Sequence, residues 1–284
     1  MKAPQGRDVA YFDGLSAYLQ GGIEQVEGWI EPISAVYIAY LSLEQVRLGL
    51  VGDVAEIGVH HGRLFLLLAN AITSSETAHA IDVFDDQEKN IDQSGHGNRQ
   101  VFERNVRHFA PTANVNIIQE SSLDLDKTGF TDREIRMFSI DGGHTAAITR
   151  NDLQVAEKCL VDGGIVVLDD VLNPHWLGVV SGLADYLRTG GTLVPFAVSP
   201  NKVYLTSNID HAEKYRGVMA TAFPLSQEKV NIEFFGSCVD YYGYHPYYEP
   251  NGGTGVRRQR DDLQREVESL KASLAEANKR LTEN

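Results

Sequence analysis

Cysteine is scarce: Cys159 and Cys238 are the only two in 284 residues, which excludes a disulfide framework. Both sit in mixed apolar segments and read as buried free thiols. Long apolar runs are missing as well. No stretch approaches the ~20 residues that span a bilayer, and the opening MKAPQGRDVAYFDG has no hydrophobic signal core. A membrane span is therefore not expected, and the expected location is cytoplasmic. Positive charge is in deficit, with 25 Lys and Arg against 39 Asp and Glu, a net charge of −14. That balance repels phosphate backbones and argues against nucleic acid as a partner. What is present is a hydrophobic content of 43%, ordinary for a soluble globular chain long enough for one large domain or a domain with an appendage.

Residues 11–50 follow a helical pattern that Pro32 divides into at least two pieces. Short apolar runs and helical spans then alternate. DVAEIGV, AHAIDVF, VNIIQES, EIRMFSID and GGIVVLDDV read as strands, with RLFLLLANAI, NRQVFERNVRHFA, RNDLQVAEKCLV and WLGVVSGLADYLRTG as helices. TLVPFAV and KVYLTS fit a terminal hairpin. Seven strands interleaved with helices predict an α/β fold, a doubly wound and mostly parallel sheet covered on both faces. Ligands of such sheets bind beyond the carboxyl ends of the strands.

The composition changes after Pro250, where NGGTG reads as a linker. Beyond it Val256, Leu263, Val267, Leu270, Leu274, Ala277 and Leu281 recur at coiled-coil spacing, with Arg260 at the one seam position that breaks the pattern. The expected organisation is an N-terminal helical segment over 1–50, a ligand-binding domain over 51–250, and a linker with a coiled-coil helix over 251–284. The coiled coil makes a homo-oligomer the expected assembly.

Three motifs carry chemistry. EIGVHHG ends the first strand, and Gly58 and Gly62 permit a sharp turn and close approach of a ligand to the backbone. The GxGxxG dinucleotide fingerprint is absent, which disfavours a pyrophosphate cofactor. Asp82, ending the second strand, is placed to accept hydrogen bonds from ribose hydroxyls. FSIDGGHT and GIVVLDDV end two further apolar runs in carboxylates. Neighbouring parallel strands lie ~4.8 Å apart, so Asp141, Asp169 and Asp170 would converge within reach of one small ion. Such a cluster must bind protons or a cation, and its oxygen donors favour Mg2+ or another divalent cation. His144, three residues beyond Asp141, is the candidate general base, with a structural hydrogen bond in a Gly-Gly turn as its alternative.

Taken together and in order, GDVAEIGVHHGRLF, HAIDVFDDQEKNIDQSGHG, SIDGGHT with ITRNDL, and GGIVVLDDV resemble class I S-adenosylmethionine-dependent methyltransferases, nearest to the macrocin O-methyltransferase-like group. The resemblance spans about residues 20–206 and implies a Rossmann-like fold acting on sugar hydroxyls of glycans or glycosylated metabolites. It implies that Glu56, Gly58 and Gly62 hold the methionyl end of S-adenosylmethionine, Asp82 the ribose, and Ser121 and Ser122 the region of the adenine. It also implies Asp141, Asp169 and Asp170 as metal ligands, and a saccharide as acceptor. A cation at Asp141 would acidify a sugar hydroxyl while His144 takes its proton. The polar stretch DDQEKNIDQSGHGN suits a lid, and Trp176 lies on the acceptor side of the sheet. Competing readings are a nicotinamide-dependent oxidoreductase, and a non-catalytic methyltransferase-like scaffold organising glycan assembly through its coiled coil.

Overall fold

Pro32 lacks an amide hydrogen and has a φ suited to a first helical turn, so it opens a helix instead of interrupting one. The computed structural model describes residues 8–243, with side chains from Asp13 onward, and beyond them the helical residues Arg265, Glu268, Lys271 and Ala272. Helix α1 (Asp8–Ala17) continues through two irregular helical turns to Gln25, and α2 (Pro32–Arg47) follows. The coiled-coil seam from Val256 to Leu281 lies outside the described residues. No described helix is long and apolar enough to cross a membrane.

The alternating unit comprises β1 (Asp53–Ile57), α3 (Phe65–Ala69), β2 (Ala78–Asp82), α4 (Arg99–Phe109), β3 (Val115–Gln119), β4 (Ile135–Ile140), α5 (Ala146–Cys159), β5 (Leu160–Leu168) and α6 (Leu177–Arg188). It ends with β6 (Val194–Ser199), β7 (Lys202–Thr206), α7 (Ile209–Ala222), β8 (Gln227–Phe234) and β9 (Ser237–Tyr242). The sheet order is β3-β2-β1-β4-β5-β7-β6-β9-β8, with the first five strands parallel and β7 antiparallel to its neighbours. The sheet thus has nine strands and not the seven expected. The added pair, β8 and β9, escaped sequence reading because β8 is an edge strand with mostly exposed side chains. Its pairing also slips register twice, which blurs the alternation of a half-buried strand. Cys159 is buried as expected, whereas Cys238 on β9 is exposed.

Period-two alternation decides what each face of the sheet receives. On β1, Val54 joins the core under α2, α3 and α7, whereas Ala55 and Ile57 face the core under α5 and α6. Glu56 therefore points to the same side as Val54, and it is 1% exposed. The chain winds outward from β1 through β2 to β3, then returns to place β4 on the other side of β1. This reversal opens a crevice above the carboxyl ends of β1 and β4.

The opposite end of the sheet is tied by Arg136, which is fully buried on β4. Its Nε and Nη2 donate to the Glu76 carboxylate at 2.8 and 3.1 Å, and Nη2 also donates to the Ala71 carbonyl at 2.8 Å. Nη1 donates to Ser42 Oγ at 2.9 Å and to Gln45 Oε1 at 3.1 Å, both on α2. Every donor nitrogen is occupied, so the pair is tolerated away from water. Replacing Arg136 by Met would strand the Glu76 carboxylate and should cost about 3–5 kcal/mol in urea unfolding. The double variant Arg136→Met, Glu76→Gln should recover much of that loss; an equal loss in both proteins would show that the charge pair is not what matters.

Candidate active site

The tip of β1 depends on a residue without a side chain. Gly58 has φ +83°, and a Cβ there would lie 1.9 Å from the Asp141 carbonyl oxygen. Backbone N–H groups step across the strand ends: Gly58 donates to Ile81 at 2.9 Å, Asp141 to Ile57 at 2.9 Å, and Asp169 to Ile140 at 3.0 Å. The ends of β2, β1, β4 and β5 are thereby held level. Gly62 (φ +96°) serves packing instead, since a Cβ there would meet the Phe102 ring at 3.0 Å. Glu56 and Gly62 stand behind the cleft wall and do not line it, whereas Gly58, Asp82, Ser121, Ser122, Asp141, His144, Asp169 and Asp170 do.

This cleft has a volume of about 880 Å³, in the range of small-molecule sites. At the β2 end, Asp82 accepts the His60 N–H at 2.8 Å and the Phe84 N–H at 2.6 Å, and so organises the turns after both β1 and β2. His60 and Phe84 each adopt positive φ, the backbone conformation that turns these amides onto the carboxylate. Burial raises the Asp82 carboxyl above its ordinary range, with the backbone hydrogen bonds opposing. Ser121 Oγ accepts from Leu123 N–H at 3.3 Å, and Asn151 Nδ2 donates to Asp152 Oδ1 at 3.1 Å. Asp152 on α5 is fully buried, and desolvation pushes it up to about 6.

At the β4–β5 end the acids divide. Asp169 pairs with the buried Lys202 ammonium and also accepts from Asn201 Nδ2 at 3.2 Å. Asp170, in left-handed conformation at φ +60°, accepts from Asn173 Nδ2 at 2.8 Å and Asn201 Nδ2 at 2.6 Å. His144 lies between two carboxylates, with Nε2 2.9 Å from Asp170 and Nδ1 2.9 Å from Asp92, and the Trp176 ring stacks on it at 4.2 Å. Burial works against ionisation of Asp170, but the donors from His144, Asn173 and Asn201 outweigh it and hold the carboxyl at about 2. Burial lowers His144, and its two carboxylates more than compensate, so the imidazole is raised. Asp141 goes well above the usual carboxylate range, first through burial and then through the charge of Asp169, with Lys202 opposing.

Ligand atoms of Asp141, His144 and Asp170 all lie within 4.8 Å of one another, so this trio is the group positioned to share a cation. Of the expected trio the structure brings Asp141 and Asp170 together, while Asp169 is drawn toward Lys202. A divalent cation fits on chemical grounds. No side-chain donor reaches the Asp141 carboxylate among the described residues, and the hard carboxylate oxygens of Asp141 and Asp170 suit Mg2+ or Mn2+. A nucleoside-bearing cofactor fits as well, because Gly58 brings bare backbone to the cleft wall beside Asp82.

Sequence reasoning did not identify Asp92, Asn173, Asn201 or Lys202. Asp92 sits in the polar segment expected to form a lid, of which Asn90, Ile91, Ser94 and Gly95 line the cleft. Lys202 had one signal, a lysine opening the apolar run KVYL. Trp176 lines the cleft, whereas His175 is exposed. Five tyrosines crowd the stretch DYYGYHPYYEP, residues 240–250; of these Tyr242 is buried against Tyr37, and residues 244–250 lie outside the described residues.

Residues 55–171 match the model of a family described as a methyltransferase domain. The O-methyltransferase NovP superposes with a TM-score of 0.55 at 14% identity, covering 71% of this chain and all of that one. The SAH-bound Podospora anserina methyltransferase PaMTH1 gives 0.50 at 11% identity, covering 69% of this chain and 88% of that one. At these identities the likeness establishes the Rossmann-like methyltransferase fold. No curated protein sequence matches the chain.

Burial raises the Glu56 carboxyl to about 8, with Lys202 and the Ser139 hydroxyl, 3.3 Å from Oε1, opposing. A carboxyl raised on folding holds its proton longer in the native state, so its contribution falls as pH climbs from about 4.5 to about 8. Urea unfolding across that window should show a decline in stability that is shallower in Glu56→Gln than in the parent. Identical slopes would mean Glu56 ionises freely.

Proposed function

We propose that the protein is an S-adenosylmethionine-dependent O-methyltransferase that uses a divalent cation to methylate a sugar hydroxyl of a glycan or glycosylated metabolite. The observation that carries this reading is the convergence of Asp141, His144 and Asp170 at the topological switch point, in the same cleft as Asp82. The methyltransferase-domain match supports the reaction class, and the ordered motifs that resemble the macrocin O-methyltransferase-like group support the sugar acceptor.

When bound, the cofactor supplies an activated methyl group, so the protein's part is orientation and removal of one proton. Asp141 and Asp170 would hold the cation that acidifies the acceptor hydroxyl. Asp92 fixes the His144 ring through Nδ1, and Nε2, which lies 2.9 Å from Asp170, would receive that proton once the cation engages the Asp170 carboxylate. Trp176, stacked on the imidazole, limits its rotation and shields one side from water. Asp82 and the glycine-bounded β1 turn form the opposite, nucleoside-binding half. Self-association through residues 256–281 belongs to the same reading. Deletion of residues 251–284 should dissociate oligomers and preserve turnover on small acceptors.

Asp141→Asn, or excess chelator, should abolish transfer while leaving calorimetric binding of S-adenosylhomocysteine intact. Full turnover in chelator would remove the cation from the mechanism. His144→Ala should lower kcat by roughly 10²–10⁴-fold, the range for loss of a general base. Mn2+ affinity in that variant, followed by electron paramagnetic resonance, should stay near that of the parent. Loss of Mn2+ binding would make Nε2 a metal ligand and place the base elsewhere.

A further inference from the structure

A buried lysine stands at the cation end of the cleft, and the chemistry above gives it no part. Lys202 is 1% exposed and opens β7, directly after the Pro200–Asn201 turn that joins β6 to β7. Its ammonium pairs with Oδ2 of Asp169, which is itself 9% exposed. A buried ion pair is seldom retained for stability alone, because apolar side chains of similar volume often do as well or better in its place. Its position on the cleft wall points instead to the cation. Asp169 Oδ1 is occupied too, by the Asp170 N–H at 2.8 Å and Asn201 Nδ2 at 3.2 Å. Asp170 differs. Asn173 and Asn201 both donate to its Oδ1, at 2.8 and 2.6 Å, and Oδ2 faces His144 Nε2 at 2.9 Å. One turn thus supplies an amide that ties the two acids together and leads straight into an ammonium that takes up one of them.

We propose that Lys202 is a positioning residue that keeps Asp169 out of the cation's ligand set, leaving Asp141 and Asp170 as the carboxylates that hold the ion. The inference rests on the cation-dependent methyltransferase reading and departs from the three-acid set that the family resemblance implies. Charge balance gives the reason. Asp141 and Asp170 together match one dication, and a third bare carboxylate would leave surplus negative charge in a poorly hydrated cleft. Lys202 takes up that surplus. The Asp169 charge is felt at Asp141, so without the ammonium all three acids would bear on the ion. Ligand charge count sets how tightly a carboxylate site holds a dication, and Lys202 therefore moderates the affinity. Asp169 acts at one remove, its Oδ1 holding the amide of Asp170 in the left-handed conformation that aims Asp170 at His144.

The test follows Mn2+ binding to the full chain by electron paramagnetic resonance, without cofactor or turnover. Lys202→Met should bind Mn2+ about tenfold or more tightly than the parent, because Asp169 is released to the ion. In the double variant Lys202→Met, Asp169→Asn, both charges go together and the volumes are kept, so the protein should fold and hold Mn2+ within about threefold of the parent. A loss of about tenfold or more in that protein would make Asp169 a ligand and overturn the proposal, as would unchanged or weaker binding in Lys202→Met. The parent gives a check that needs no variant. Lys202 is the one buried lysine among the described residues, so in protein labelled with 15N-lysine its ammonium should give a slowly exchanging signal by nuclear magnetic resonance. Saturating Mg2+ should leave that signal in place; its absence beforehand or its loss afterwards would overturn the proposal. A parent that binds no Mn2+ would refute the cation-dependent reading and this inference with it, whereas Mn2+ binding that the parent shows and the double variant loses overturns this inference alone.

Discussion

The contact between the Gly58 backbone and the Asp141 carbonyl governs the rest of the cleft. Only glycine fits where a Cβ would lie 1.9 Å from that oxygen, and only at this closeness do the N–H groups of Gly58 and Asp141 step across from β2 to β4. The strand ends are level as a result. A level rim turns separate residues, Asp82 on one strand and Asp141 on another, into the walls of one groove.

Electrostatics then sorts the residues on that rim. Three carboxylates at the ends of β4 and β5 cannot all remain charged and unpaired in a poorly hydrated site. Lys202 neutralises Asp169, and His144 with two asparagine amides stabilises Asp170. Among the described residues no side-chain donor reaches the Asp141 carboxylate, and burial with the charges of Asp169 and Asp170 outweighs the opposing Lys202 in keeping it from ionising. That imbalance makes this end of the cleft receptive to a cation. The groove is therefore acid-rich where β4 and β5 end.

The polar segment after β2 reaches both sides of the cleft. Asp92 reaches His144 from one side of the cleft, and Gly97 lies close to His60 and Asp82 on the other, where a Cβ would sit 3.3 Å from His60 Cα and 3.4 Å from Asp82 Oδ1. One loop thus touches both the imidazole and the acid at the β2 tip. Its Asn90 amide donates to the Ser94 and Gly95 carbonyls at 2.8 and 3.1 Å, which gives the loop internal order without a hydrophobic core.

The parallel core of the sheet was legible in the sequence because strand and helix leave different apolar periods, and the runs ending in Asp82, Asp141 and Asp169 showed which residues reach the strand tips. Charge at a tip is visible locally, since it needs only a run of apolar residues and the residue that ends it. Its partners are not local. Asp169 finds Lys202 33 positions away and His144 finds Asp92 across 52, and no spacing rule relates either pair. The β8–β9 extension was hidden for a related reason, because an exposed, bulged edge strand has no buried face to imprint a pattern. The sequence by itself determined which strands exist in the parallel core and which ionisable groups they carry to the rim. Only the tertiary structure decided which of those groups neutralise one another and which are left for a ligand, because desolvation and pairing depend on distances through space and not along the chain.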